Sequence, residues 1–297
     1  MKILDKILLE PNTLWQKVKQ QTKYAFDCGA LKSIPTEYEL IKDENIDFLV
    51  RIITNLDRKD NAKKQQKKLG KEFNPFLPYE KDLFVADISE THLCLLNKFN
   101  VVDHHLLVIT RDFEEQETLL NLNDFAALWA CLLQIDGLGF YNSGKIAGAS
   151  QRHKHLQLVP FPLIPELNKT PIDSLIETVE YQNNIGKLPY FNFTHGISKI
   201  GLQNNQNIVE ISQQSLDIYH QLLKILGISI NSEEKPEPYN LLITREWMMI
   251  IPRSQDKYES ISINSLGFAG ALLVKNEQQM NTLKKFKPLT ILQQVAK

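Results

Sequence analysis

Short apolar runs bounded by turn residues dominate the pattern of this chain. FLVRIIT (48–54), after a Pro-Thr turn, reads as a strand, and LFVADI (83–88), THLCLLNKF (91–99) and HHLLVIT (104–110) read as antiparallel strands. Further strands are predicted around Leu138, Phe140 and Tyr141, in LPYFNFTHGI (188–197) with His195 at its end, and in YNLLITREWMMIIPRS (239–254) and FAGALLVKN (268–276). Helical spacing is confined to separate stretches. Residues 3 to 28 place Ile3, Ile7, Leu8, Leu14, Val18 and Phe26 about a turn apart, broken at Pro11, which predicts two helical pieces with Asn12 or Thr13 capping the second. Asn123 and Asp124 cap FAALWACLLQI, a helix apolar on nearly every side, which places Trp129 in a core and ends at Gly137. IDSLIETVEYQ (172–182) is a third helix, amphipathic, starting near Thr170 or Asp173. A long helix runs from Ser212 to Leu226, turning Leu216, Tyr219, Leu222, Leu223 and Leu226 inward, with Gly227 as its stop.

One stretch joins this patterning to chemistry: FYNSGKIAGASQRHKHLQLVPFP, residues 140–162. An apolar lead-in is followed by a turn rich in small and polar residues, Asn142, Ser143, Gly144, Gly148, Ala149 and Ser150. An alternating run then sets His153, His155, Gln157 and Val159 on one face and Lys154, Leu156 and Leu158 on the other, because a strand has a period of two. Imidazole is substantially neutral, and therefore nucleophilic, near neutral pH. Glycine and serine let a backbone approach a phosphate and offer it N–H and O–H donors. A His-x-His strand alone fits two half-buried histidines just as well; the turn beside it and Gln157 at the next same-face position turn the reading towards phosphate chemistry.

Composition narrows the class. The chain has 297 residues, 43% of them hydrophobic, and a formal net charge of −1, which excludes a generally basic nucleic-acid binder. No apolar run reaches bilayer length, and MKILDKILLE carries acidic residues where a signal peptide is apolar. Cys28, Cys94 and Cys131 are isolated, which argues against a disulfide framework or a cysteine zinc site and suits a reducing cytoplasm. The one strong charge bias is local: Arg58, Lys59, Lys63, Lys64, Lys67, Lys68 and Lys71 crowd into residues 57–71. Such a run fits a solvated loop or a flap over a polyphosphate.

SGKIAGASQRHKHLQ resembles the signature of the diadenosine tetraphosphate (Ap4A) phosphorylases, also called ATP adenylyltransferases, of the histidine-triad superfamily. There the hydrolases carry His-x-His-x-His and the transferases His-x-His-x-Gln, and this sequence has the glutamine. The resemblance is strongest over 92–162 and continues in NPFLPYEKDLF (74–84) and in YNLLITREWMMIIPR with GFAGALLVK (239–275). It implies an α+β fold, a HIT-like antiparallel sheet flanked by helices, with room for two pseudo-repeated halves as in the galactose-1-phosphate uridylyltransferase branch. LLNKFNVVDHHLLVITR (95–111) and LLITREWMMIIPR (241–253) share an outline, which predicts that the second is a degenerate copy of the first without its own histidine strand. On this view residues 1–297 form one unit, with the histidine motif in 1–165 and a family-like terminal block in 166–297.

The resemblance also implies roles. His155 is the nucleophile, His153 orients it or the leaving phosphates, and Gln157 is a neutral donor to a non-bridging oxygen, where a third histidine would support hydrolysis. Asn97 and His105 match the nucleotide-binding hairpin, although Asp103-His104 stands where relatives have Pro-Gly. Asn142, Ser143, Gly144, Ser150 and Gln151 match phosphate- and ribose-contacting positions; Lys145 could neutralise phosphate, whereas Lys154 should point away from His155. The implied reaction is reversible phosphorolysis of Ap4A to ATP and ADP through an AMP-histidine intermediate. The partners are Ap4A, ATP, ADP and phosphate, with no nucleic acid or membrane, and the chain is expected to be a monomer. No cofactor or dedicated metal site is required, though Mg²⁺ commonly accompanies polyphosphates. A dinucleotide hydrolase, a nucleoside diphosphate-sugar nucleotidylyltransferase and a binding protein without turnover are the alternatives.

Overall fold

The computed structural model describes residues 5–54, 73–202, 206–233 and 235–297. The lysine-rich stretch, and with it the flap reading, lies outside them. The chain runs through α1 (Leu14–Asp27), β1 (Thr36–Asp43), β2 (Ile46–Ile53), β3 (Phe84–Asp87), β4 (His92–Leu96) and β5 (Leu106–Thr110). Next come α2 (Leu122–Leu132), β6 (Gly137–Asn142), β7 (His155–Pro160), α3 (Asp173–Ile176), β8 (Ile185–Gly186), β9 (Gly196–Lys199) and α4 (Ile208–Ile225). The chain ends with β10 (Tyr239–Ile243), β11 (Trp247–Pro252), β12 (Lys257–Tyr258), β13 (Ile261–Ser262), α5 (Ser265–Phe268), β14 (Ala271–Val274), α6 (Glu277–Phe286) and α7 (Pro288–Val295). Among the described residues no helix is long and apolar enough to cross a membrane.

Nine strands make one antiparallel sheet in the order β3-β4-β5-β7-β6-β10-β11-β9-β8. It contains the same ββαββ unit twice. In the first copy, β4-β5-α2-β6-β7 gives the spatial order β4-β5-β7-β6; in the second, β8-β9-α4-β10-β11 gives β8-β9-β11-β10. The copies meet where β6 pairs antiparallel with β10, setting Asn142 opposite Asn240. Their registers agree: Pro160 faces Gly137 as Pro252 faces Tyr239, and Leu158 faces Leu106 as Ile250 faces Gly196. Counting along these registers pairs His155 with Trp247, Gln157 with Met249, and His105 with His195. The repeat is therefore offset from the one the sequence suggests. β10–β11 matches β6–β7, not β4–β5, because any hairpin shares the apolar-turn-apolar outline and only the neighbouring strand reveals which hairpin it is.

Each face of the sheet carries its own core. On one side α2 and α4 cover Tyr141, Leu156, Leu158, Leu241, Met248 and Ile250. α2 begins at Asn121 rather than Asn123, in a capping box where the Asn121 side chain accepts from Asp124 N and Asp124 accepts from Asn121 N. Trp129 is fully buried and donates to Ser215 Oγ of α4 at 2.8 Å. On the other side Leu138, Phe140, Val159, Leu242, Met249 and Ile251 pack under the β1-β2-β14 sheet and the last helices. A small third cluster of Phe76, Leu93, Leu95, Leu107 and Ile109 lies beside β5.

Five local readings change. Residues 5–10 are not helical: Leu8 N donates to Ile88 O and Ile7 bridges Ser89, so pairing with the sheet edge wins over a short isolated helix. β1 escapes the hydrophobic pattern because seven of its eight positions, Glu37 to Leu40 among them, are at least partly exposed, on both faces. The 172–182 helix stops at Ile176, where the Thr178 hydroxyl donates back to Leu175 O and competes with the next turn. Within 188–197 only Gly196 and Ile197 are strand. Tyr190 has φ +67° and Leu188 N donates to His195 Nε2, so the aromatic run folds back on itself. FAGALLVKN likewise opens in α5 and becomes strand only at Ala271.

Candidate active site

His155 begins β7, and its ring is pinned by its own strand. His153 O can only accept, so the 2.8 Å contact from His155 Nδ1 fixes the proton there and leaves the lone pair on Nε2. Nε2 has no hydrogen-bond partner among the described residues. Burial pushes the imidazole down to about 4, against a smaller upward pull from the His153 carbonyl. The side chain is therefore a neutral base at neutral pH. Its main chain is held equally firmly: Gln116 Oε1 accepts from His155 N at 2.8 Å and Gln116 Nε2 donates to His155 O at 3.2 Å and to Asn142 O at 2.9 Å. The β6–β7 ladder runs only as far as Phe140 opposite Gln157. Beyond that the strands part, and the Gln116 amide fills the gap as a stand-in strand.

His153 lies two residues before the start of the strand, facing the same way. Its Nε2 donates to Thr110 O at 2.8 Å, and its Nδ1 accepts from Asn74 Nδ2 at 3.0 Å. Both ring nitrogens are thus engaged, which suits a group that orients its neighbour. Phe76 packs against both rings, with centroids 5.5 Å away. Gln157 is aimed by a chain of two hydrogen bonds. Asn97 Nδ2 donates to His105 Nδ1 at 3.2 Å, and His105 Nε2 donates to Gln157 Oε1 at 3.0 Å. With Oε1 occupied, the amide nitrogen of Gln157 is the end left to face a ligand. Burial holds His105 at about 4, so it stays neutral in this relay. His104 takes no part: it sits at φ +56° and meets Thr22 Oγ1 through Nδ1 at 3.0 Å.

The turn after β6 presents donors. Asn142 Oδ1 is taken by Asn240 Nδ2, Ser265 N and Ser265 Oγ at 2.8–2.9 Å, while its Nδ2 has no partner among the described residues. Ser143 Oγ is buried without a partner. The N–H groups of Lys145, Ile146 and Ala147 likewise have none among the described residues, although Ala147 is fully buried. A run of unpaired N–H groups with an orphaned hydroxyl is the donor set an anion needs. Gly144 (φ +82°) and Gly148 (φ +98°) make the turn possible, and a Cβ on Gly148 would lie 2.8 Å from Ile263 O. Ser150 and Gln151 lie further out, exposed and partly exposed. Gly148 also lines a cavity of about 200 Å³ with Arg51, Asn264, Lys275 and Gln279.

Comparison with known families places the chain. The model for the Ap4A phosphorylase N-terminal domain matches residues 4–178, and that for the ATP adenylyltransferase C-terminal domain matches residues 187–297. The chain belongs to the Ap4A phosphorylase family. It is 26% identical to diadenosine 5',5'''-P1,P4-tetraphosphate phosphorylase 2 of Saccharomyces cerevisiae over 93% of this chain and 91% of that protein. It is 29% identical to Protein APA1 of the same organism, over 90% and 88%. The crystal structure of yeast Ap4A phosphorylase Apa2 in complex with Ap4A shares the fold, with a TM-score of 0.78, 23% identity and coverage of 97% and 98% of the two chains. The AMP complex of Apa2 gives 0.75 with 25% identity, covering 98% of each chain.

Within this Ap4A phosphorylase scaffold, Lys154 points away from His155, as the alternation predicts. Its Nζ is buried against Asp124 at 2.8 Å and Glu114 at 3.0 Å, and His92 Nε2 meets the other Asp124 oxygen at 3.1 Å. Despite its burial, Asp124 is held down at about 2, chiefly by Lys154. Gln116 and Asn74 are the site residues that sequence reasoning missed. Neither sits in a periodic segment or a motif; the one available signal for Asn74 was its place in NPFLPYEKDLF.

Proposed function

We propose that the protein is a nucleotidyltransferase that phosphorolyses Ap4A to ATP and ADP, reversibly, through an adenylyl group carried on His155. The observation that carries this is the pairing of a free, neutral His155 Nε2 with a Gln157 amide whose oxygen is already bound. Nε2 attacks the α-phosphorus, a P–N bond forms, and the P–O bond to the leaving ATP breaks. An oxygen of inorganic phosphate then attacks the same phosphorus, the P–N bond breaks, and ADP leaves. The Ser143 hydroxyl, the 145–147 N–H groups and the Gln157 amide hold non-bridging oxygens, so the site works by positioning and charge stabilisation. Gln157 has no proton to exchange at neutral pH, which favours transfer to phosphate over activation of water.

The histidine strand lies within 1–165, while 166–297 completes the turn from behind through Asn240, Arg253 and Ser265. Cys28, Cys94 and Cys131 are free thiols, consistent with a reducing cytoplasm. Incubation with Ap4A, with and without phosphate, tests the reaction. ATP plus ADP formed only with phosphate is the expected result; AMP plus ATP formed without phosphate means hydrolysis instead. A His155→Ala variant should lose transfer, and near-native activity in that variant would sink the role of His155.

A further inference from the structure

Arg253 ends the β11 hairpin and is buried to 1% exposure. Its guanidinium meets only neutral oxygens. Nε donates to Val295 O at 3.0 Å; Nη1 donates to Asn240 Oδ1 at 2.5 Å, Ile263 O at 3.1 Å and Ala147 O at 3.3 Å; Nη2 donates to Gln255 O at 2.7 Å and Ile263 O at 3.1 Å. Phe268 covers its face at 5.3 Å. Among the described residues no carboxylate lies within ion-pair distance; Asp256 acts on it only through space. A fully buried cation without a counter-ion is costly and rarely kept without one. Ala147 O, which also accepts from Asn240 Nδ2 at 2.8 Å, is on the back of the turn whose front bears the orphaned Ser143 hydroxyl and the unpaired 145–147 N–H groups.

We propose that Arg253 is a positioning residue for phosphate binding: it holds the Ala147 carbonyl from behind and provides the positive charge that the phosphate chain of a nucleotide balances at the front. The matching position of the first copy, one residue past Pro160, is Phe161, so the cation belongs to the half without the histidines. The copy that lost its nucleophile thus serves the site of the other. This rests on the nucleotide reading of the site but not on the reaction being phosphorolysis.

The test compares ATP with adenosine, which lacks phosphate, by calorimetry on the full-length protein, with Arg253→Gln and Arg253→Lys beside wild type. Arg253→Gln is expected to weaken ATP binding about tenfold or more while leaving adenosine binding unchanged, and Arg253→Lys, which keeps the charge but not the donor fork, to recover part of the ATP affinity. Equal losses for both ligands, no loss in Arg253→Gln, or Arg253→Lys no better than Arg253→Gln would each overturn the proposal. If Arg253→Gln does not fold, Asp256→Asn decides: ATP should bind about twofold tighter with adenosine unchanged, and an unchanged ATP affinity overturns it. Wild-type protein that binds ATP but forms no ADP from Ap4A and phosphate sinks the reaction alone; wild-type protein that does not bind ATP sinks both.

Discussion

His105 Nε2 donates to Gln157 Oε1 at 3.0 Å, and that one contact leaves the amide nitrogen as the free end of the side chain. A glutamine free to flip would present its oxygen to phosphate oxygens half the time. His105→Phe keeps an aromatic ring against Phe140 but lets the amide turn. The expected result is a 10- to 100-fold fall in kcat with little change in KM, because a misaimed donor costs most where charge develops. Steady-state phosphorolysis kinetics check this; an unchanged kcat means Gln157 is aimed by something else.

The depressed His155 imidazole sets an unusual acid limit. An ordinary histidine nucleophile fails as pH drops through about 6.5. Here protonation is delayed to about 4, so the adenylylation step should hold its rate across pH 5 to 7 and fall only below. Single-turnover release of ATP from Ap4A without phosphate isolates that step from the titration of phosphate itself. A limb near 6.5 contradicts the assignment.

Stability should follow the same histidines. His105, His155 and His195 are each held at about 4 by burial, below the value they take in the unfolded chain. Between about 6.5 and 4 the unfolded chain binds more protons, so their contribution is fully present above 6.5 and is lost as pH falls towards 4. The loss amounts to about 3 kcal/mol for each group. Urea midpoints should hold between pH 7.5 and about 6.5 and then fall steadily down to 4.5, more than acid titration of surface carboxylates alone would give.

Gly148→Ala tests the turn. The residue needs φ +98°, and an added Cβ would press on a main-chain oxygen, Ile263 O, at 2.8 Å. Backbone cannot yield as a side-chain tip does, so the turn should open and the Lys145–Ala147 N–H groups should splay. ATP affinity is expected to drop at least tenfold, with a stability loss of about 1–3 kcal/mol. Calorimetric titration and thermal melting read the two effects separately.

Lys154→Met removes the partner of a carboxylate with no exposure, that of Asp124. Breaking such a pair from one side costs about 3–5 kcal/mol. Adding Asp124→Asn, which keeps the cap on Asn121 N, should recover most of the loss. If the double variant is no more stable than the single one, the charge pair is not what ties β7 to α2.

What the sequence made legible was what strand periodicity carries. A period of two was enough to put His153, His155 and Gln157 on one face and to send Lys154 to the other, where Asp124 waits. Periodicity says nothing about side chains that substitute for backbone. Gln116 occupies the gap between two diverging strands from a loop more than thirty residues upstream of His155, and Arg253 reaches the turn from over a hundred residues downstream. β1 was invisible for a related reason: with both faces largely wet, it has no hydrophobic alternation to read. The repeat was visible but misaligned, since two hairpins look alike until their neighbours in the sheet are known.

The repeat has a consequence for counting. Where the first copy has His155 and Gln157, the second has Trp247 and Met249, both buried to 1% exposure or less. On the proposed mechanism one nucleophile serves a chain built from two copies of the same fold unit. Labelling of the protein by Ap4A without phosphate should saturate at one adenylyl group per polypeptide, a mass increment that appears once and never twice.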